Sequence, residues 1–386
     1  MTIEVPSTSD VVVVGGGVMG ASTAYHLAKA GVKRITLLER EEFFGLGATG
    51  RCAGGVRYQF ATAINIELSK ISLPVLANFK EETGQDSGYR PLGYLFVLTD
   101  EDDLNTFKAN VKLQQSLDVD TQWLSGDEVR QRIPQMRFED ALAGTLYHKD
   151  GLADPNSVVM GYISAGKRLG VEPLTDIEVT DIEVAHGKVQ GVQTNHGRIA
   201  CQHVVNAAGP WAAQVGDMAG VALPITPLRR QMVTTTPLPE LAQDFPFVID
   251  FAQSLYFHRE GEGILTGMSN PNETPGYDQS IDDEWELTAM EAAIERMPML
   301  ANAGRMSGWA GLYEVTPDAH PIFGPTPVEG FWIVGGFSGH GFMHGPASGL
   351  IMAEYITQGK PSSLDVSSLD LARFEEGRLI HEYNVV

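Results

Sequence analysis

Cysteine is scarce in this chain: two residues, Cys52 and Cys201, in 386. Two cysteines cannot build a disulfide framework, and nothing in their spacing is metal-like, so two buried free thiols are expected. Positive charge is short as well. Lysine and arginine number 27 against 49 aspartates and glutamates, a formal net charge of −22. That balance argues against a nucleic-acid partner, which requires a basic footprint. It also repels anions at long range, so a carboxylate ligand would need a local cationic anchor. No apolar run reaches the ~18 residues of a membrane span. Residues Met1 to Asp10 lack the charged and apolar regions of a secretory signal, and the expectation is a cytoplasmic protein. Internal repeats and low-complexity tracts are missing too. What remains, 43% hydrophobic and 20% charged residues over this length, suits two globular domains with full cores.

The chain opens on a β-branched strand, Asp10 to Val14, followed by three glycines. The apolar spacing of Ala21, Ala24, Leu27 and Ala28 predicts a helix from Val18 to Ala30, closed by Gly31. A second strand, Arg34 to Leu38, completes a β-α-β unit. A glycine-rich loop, Gly45 to Gly55, precedes a predicted helix over 63–82. The middle of the chain reads as a strand at Tyr94–Leu98, a helix from Glu101, and a helix start capped by Ser125 with Glu128. From Pro224 to Ala310 strands bounded by Pro and Gly dominate, with one helix from Glu284. The last segment returns to α/β character, with a strand at 331–334, a glycine turn and a helix from Pro346.

Gly15-Gly16-Gly17-Val18-Met19-Gly20 fits G-x-G-x-x-G and lies between a strand and a helix. Gly15 permits the tight turn, Gly17 lets backbone approach a pyrophosphate, and Gly20 lets helix and strand pack closely. The helix N-terminus at Val18 and Met19 is then aimed at the phosphates. Glu39 ends the second strand, where an acid accepts hydrogen bonds from ribose hydroxyls. The motif alone implies a bound dinucleotide. Two further strands also end in small residues: Val204-Val-Asn-Ala-Ala-Gly-Pro-Trp211, and Trp332 to Val334 before Gly335-Gly-Phe-Ser-Gly-His-Gly341.

These residues, with Glu39-Arg40, Thr49-Gly-Arg-Cys-Ala-Gly-Gly-Val-Arg57 and Tyr313-Glu-Val-Thr-Pro-Asp318, resemble the D-amino acid oxidase/sarcosine oxidase superfamily of FAD-dependent oxidoreductases. The resemblance covers nearly the whole chain. It is closest to the group of sarcosine oxidase β-subunits, L-proline dehydrogenase β-subunits and glycine oxidase-like proteins. It implies an α/β, Rossmann-like FAD-binding domain of the glutathione-reductase type, expected over residues 1–85, 147–215 and 310–386. An α+β substrate domain with a mainly antiparallel sheet is expected over 86–146 and 216–309. The FAD contacts it implies are Gly15, Gly17, Val18, Met19, Gly20, Glu39, Arg40, Thr49, Gly50, Arg51, Cys52, Gly54 and Gly55 from the first third. Val179, Ala208, Gly209, Trp211, Gly311, Gly339, His340, Gly341, Phe342 and Met343 complete that set.

The implied reaction is oxidation of a secondary or N-substituted amino acid (sarcosine, glycine or proline-like). Hydride passes from the carbon next to nitrogen to flavin N5, and the imine hydrolyses. A partner subunit or homo-oligomer is compatible with that group. The alternative is an FAD-binding subunit or assembly factor without amine turnover. Departures from the pattern carry information. The cysteine that binds flavin covalently in monomeric sarcosine oxidases is Gly311 here, so non-covalent FAD is expected. Their carboxylate-binding lysine is Met343, and a lysine that assists oxygen reduction is Leu265, which favours a dehydrogenase over an oxidase. The histidine that tethers FMN in heterotetrameric relatives is Pro155 or a neighbour.

Candidate catalytic residues are Tyr256, Arg51, His340 and Glu314. Tyr256 shares a strand face with His258 and is the best candidate for a substrate contact. Arg51 and Arg57 flank the loop glycines and either face the flavin or form structural ion pairs. One of Arg229 and Arg230 could point towards the ligand, and a domain-bridging salt bridge is equally open. Glu314 either meets a substrate ammonium or pairs with an arginine such as Arg57. His340 and His344 have helical metal-pair spacing, but their glycine-rich surroundings fit a flavin turn better, and no metal is expected.

Overall fold

Four consecutive valines, Val11–Val14, form the central strand of a parallel sheet and are buried on both faces in the computed structural model, which describes residues 4–385. The sheet runs Ile322–Pro325, Phe331–Gly335, His203–Asn206, Val11–Val14, Ile35–Leu38, Val171–Leu174, all parallel except the first strand. Side-chain alternation assigns its faces. Val11 and Val13 pack with the helices Val18–Lys29, Pro155–Arg168 and Gly341–Gln358. Val12 and Val14 meet a three-stranded antiparallel sheet, Val179–Ala185, Lys188–Thr194 and Gly197–Ala200.

The second sheet has eight strands in the order Arg305–Val315, Thr226–Thr235, Gly263–Met268, Leu255–Glu260, Phe247–Asp250, Tyr94–Leu98, Ala143–Tyr147, Gln122–Ser125. It is antiparallel except where Phe247–Asp250 lies parallel to Tyr94–Leu98. Leu95 and Val97 pack outward with a cluster that includes Ala293 of the helix Asp283–Arg296. Tyr94, Phe96, Leu98, Phe247, Tyr256 and Leu265 form the inward cluster. The expected fold class is present: one parallel nucleotide-type layer and one mainly antiparallel roof. The strand Arg305–Val315 pairs along its length with Thr226–Thr235, so the boundary expected at residue 310 falls inside the roof.

Two helices differ from the sequence reading. The predicted helix over 63–82 is interrupted at Asn78 between Ala63–Ala77 and Phe79–Thr83, where the Asn78 side-chain amide donates to the Pro74 carbonyl at 2.9 Å in place of regular helix. The last helix begins at Gly341, not Pro346, so Pro346 lies inside it. Proline is favoured in a first turn, so the sequence alone points to a start there. The capping box at Ser125 and Glu128 is present.

Candidate functional site

One cavity of 520 Å³ runs from the glycine turn beside Val14 to the roof sheet. At its nucleotide end Gly15 has φ +107°, and Gly17 caps the helix Val18–Lys29 without a side-chain hydrogen bond, so no cap side chain covers the helix N-terminus. The Val18 N–H donates to Thr49 Oγ1 at 3.2 Å, which brings the flavin loop against that terminus. Glu39 accepts the N–H of Gly16 at 2.7 Å on one oxygen and that of Glu41 at 3.0 Å on the other. Each oxygen keeps a lone pair for a ribose hydroxyl. Burial pushes its carboxyl above the usual range, against those two N–H groups. Arg40 stacks on Trp211 with Cζ 3.9 Å from the ring centroid, and Val179 lines the same end.

At the other end Arg51 donates to the carbonyls of Ala310 (2.8 Å) and Leu46 (3.2 Å), and its own carbonyl accepts Trp309 Nε1 at 3.0 Å. It fastens the loop to the roof through backbone groups, not through the ion pair considered above. Arg57 is buried and donates to the carbonyls of Gln59 and Asn384, with Cζ 4.0 Å over the Phe60 ring. Glu314 is not its partner: no ion pair joins them among the described residues. A Cβ added at Gly311 would lie 2.9 Å from Arg51 Cβ, so a cysteine there would displace Arg51.

The strand-to-helix turn at 336–341 closes the site. Gly339 has φ +100° and lies under the Tyr313 ring. His340 is buried, and neither ring nitrogen has a partner among the described residues. Burial and the nearby His344 hold its ring well below the usual histidine range, so it is neutral. His340 and His344 rings stand edge to face at 5.3 Å. Among the described residues no group of three or more His, Cys, Asp or Glu side chains could hold a metal ion. Cys52 also lines the cavity, with its thiol pushed up to about 11 by burial.

Burial pushes the Glu314 carboxyl up to about 7, although the N–H groups of Gly336 and Phe337 favour its charged form. Its ordinary value is 4.5, so between pH 4.5 and about 7 the folded chain holds a proton the unfolded chain has lost. Stability therefore falls as pH rises through that window, by up to about 1.4 kcal/mol per unit from this group. Glu314→Gln is expected to flatten that fall when denaturant midpoints are compared across pH. An unchanged slope would place the carboxyl in its ordinary range.

Of the residues expected at the site, Gly20 and Gly50 do not line the cavity. Gly20 packs on the Gly15 carbonyl and Gly50 on that of Gly45, so both shape backbone from behind. Every other expected contact lines it, Ala208, Gly209, Gly54, Gly55, Gly341, Phe342 and Met343 included. His258 stays behind the wall, its ring 5.1 Å from Phe247, and Leu265 packs in the inward apolar cluster. The sequence reading missed Tyr94, Phe247, Met232 and Val385 as wall residues. Of the two arginines left open above, Arg230 lines the cavity and Arg229 forms ion pairs with Glu273 and Asp278.

The glycine cradle, the helix terminus, the free lone pairs of Glu39 and the orphaned His340 nitrogens together fit a flavin dinucleotide lying along the cavity. Comparison with known proteins agrees. Residues 10–355 match the family model described as DAO, FAD dependent oxidoreductase. The chain belongs to this family. It is 33% identical to mouse (Mus musculus) mitochondrial sarcosine dehydrogenase over 97% of its own length and 42% of that protein's. For rat (Rattus norvegicus) mitochondrial dimethylglycine dehydrogenase the figures are 30%, 95% and 45%. The chain thus spans less than half the length of these curated relatives. The crystal structure of L-proline dehydrogenase from P. horikoshii superposes with a TM-score of 0.90 at 34% identity, covering 97% of this chain and all of that one. Among the described residues no helix is long and apolar enough to cross a membrane.

Proposed function

We propose that this DAO-family chain oxidises an N-methylated or cyclic amino acid at the carbon next to nitrogen. The observation that carries the reading is the single cavity that joins the nucleotide cradle of the parallel sheet to the aromatic wall of the roof. Bound flavin supplies the hydride acceptor. The chain's own part is to bind, orient and dehydrate. Tyr94, Phe247, Tyr256 and Tyr313 give the substrate end a mostly apolar lining. Such surroundings favour the neutral amine, whose lone pair must assist loss of hydride from the adjacent carbon. A strong general base is not needed, because hydride leaves from the neutral amine.

Similarity to sarcosine, dimethylglycine and L-proline dehydrogenases supports the N-methyl and cyclic substrate class. We further propose a dehydrogenase that holds FAD non-covalently, supported by Leu265 in the apolar cluster and by the crowding at Gly311. The test is anaerobic mixing with N-methylglycine, N,N-dimethylglycine, proline, glycine and D-amino acids, followed by the visible flavin bands. Bleaching by at least one N-methyl or cyclic amino acid is expected, with reoxidation faster by a dye acceptor than by oxygen. A bound flavin that no amine reduces would reject this reading and favour a binding or assembly subunit.

A further inference from the structure

Four arginines line the cavity: Arg40, Arg51, Arg57 and Arg230. The first three are engaged. Arg40 stacks on Trp211 and bonds Glu41, while Arg51 and Arg57 each donate to two backbone carbonyls. Arg230 differs. Its only hydrogen bond among the described residues runs from Nη1 to the carbonyl of Arg229 at 2.9 Å, and its Nε is buried with no partner. No carboxylate lies within ion-pair distance of it among those residues. The neighbour Arg229, on the opposite strand face, holds Glu273 at 3.2 Å and Asp278 at 3.1 Å. Among the described residues Arg230 thus has neither the acid that Arg40 holds nor the paired carbonyls that occupy Arg51 and Arg57.

Its position is as informative as its lack of a partner. Arg230 Cζ lies 5.2 Å from the centroid of the Tyr313 ring, and that ring rests on Gly339 in the turn before the last helix. One aromatic ring therefore separates the guanidinium from the turn that closes the flavin end. Arg230 is also paired across the sheet with Gly311, next to Arg51. Tyr256 reaches the same place from the second strand over. Gly267 lies opposite it without a side chain, so the Tyr256 ring lies flat across that position towards the strand of Arg230. Its hydroxyl is held protonated by burial.

We propose that Arg230, assisted by the Tyr256 hydroxyl, anchors the carboxylate of the substrate. The proposal rests on the amino-acid reading above and deepens it. Long-range repulsion from the acidic surface makes such a local cation necessary, and a guanidinium meets a carboxylate with two parallel, charge-assisted hydrogen bonds. The anchor fixes one end of the substrate in the roof, beside the Tyr313 ring. It also supplies the cation that Met343 cannot.

The test uses the FAD-loaded protein and a probe that cannot be oxidised at nitrogen, (methylthio)acetate, beside its carboxamide. Calorimetry should show the acid bound more tightly than the amide by the parent. Arg230→Ala should weaken the acid by about 100-fold, the loss of a charge-assisted pair, and leave the amide unchanged. Arg230→Lys, which keeps the charge but not the fork, should recover part of that loss and guards against a fold defect in the alanine variant. In turnover, the alanine change should raise KM for N-methylglycine far more than it lowers kcat. Equal weakening of acid and amide, or a parent that prefers neither, would overturn the anchor. Binding that depends on Arg230 with no amino acid oxidised would retain the anchor and reject the functional reading instead.

Discussion

Gly20→Ala is expected to yield a chain that folds but purifies largely without FAD. Gly20 lies in the first turn of the helix Val18–Lys29, and a methyl group there would coincide with the carbonyl oxygen of Gly15. Backbone cannot give way as a flexible side chain can. The Gly15 N–H is held by the Leu38 carbonyl at 2.8 Å, and Val11–Val14 are buried on both faces. The helix must therefore lift off the strand, and its N-terminal amides move with it. Overpacking of this kind costs about 1–3 kcal/mol. If that cost falls on the cradle, FAD affinity drops about 10- to 100-fold. Gly31→Ala is the matched control. Gly31 has φ +98° but nothing within 4 Å of the added carbon, so it should lose about 1 kcal/mol of stability and keep its FAD. Fluorometric titration of both variants with FAD separates the outcomes, and equal affinities would mean that the close approach at Gly20 is not what shapes the cradle.

Asp318→Ala is expected to destabilise the chain by about 3–5 kcal/mol. Asp318 and Arg373 have fully buried side chains and meet through two hydrogen bonds of 2.9 and 3.0 Å. Arg373 also donates to the carbonyls of His320 (2.9 Å) and Asp370 (3.0 Å), so it cannot swing out to water. Burial raises the Asp318 carboxyl, but the hydrogen bonds and charge of Arg373 outweigh it and hold it below the usual carboxylate range. Its stabilisation is therefore present above the unfolded pKa of 3.8 and is lost as pH falls through the lower folded value. The gap between parent and variant should close in strong acid and stay constant above neutrality. Pairing the change with Arg373→Met should cost much less than the sum of the two single changes, because the buried charge is then gone as well. Thermal and denaturant melts of the four proteins test this, and additive losses would contradict a coupled pair.

The parts of the molecule legible in the sequence were those written in local pattern. The valine strand, the glycine spacing, Glu39 and the helix Val18–Lys29 follow from neighbours a few residues apart. So do most of the cavity-lining residues expected to face a cofactor, because each sits at a strand-to-glycine turn or matches a family motif. The substrate wall was harder. Alternation says that Tyr94 and Phe96 share a face, but not that this face meets the loop at Gly55, where the Tyr94 ring closes over a missing side chain. Arg229 and Arg230 could not be told apart until the acids at Glu273 and Asp278 were seen to claim the first. Asp318 was visible as part of a motif, whereas its partner Arg373 is 55 positions away with no local sign. The return of Asn384 to Arg57 is of the same kind, a contact made only by the tertiary fold.

The most direct test of the central claim is to precipitate the purified protein with acid and identify what remains in solution by mass. The account predicts FAD in the supernatant, in about one equivalent per chain, and a colourless pellet. A nicotinamide dinucleotide in its place, or flavin that stays with the pellet, would contradict it.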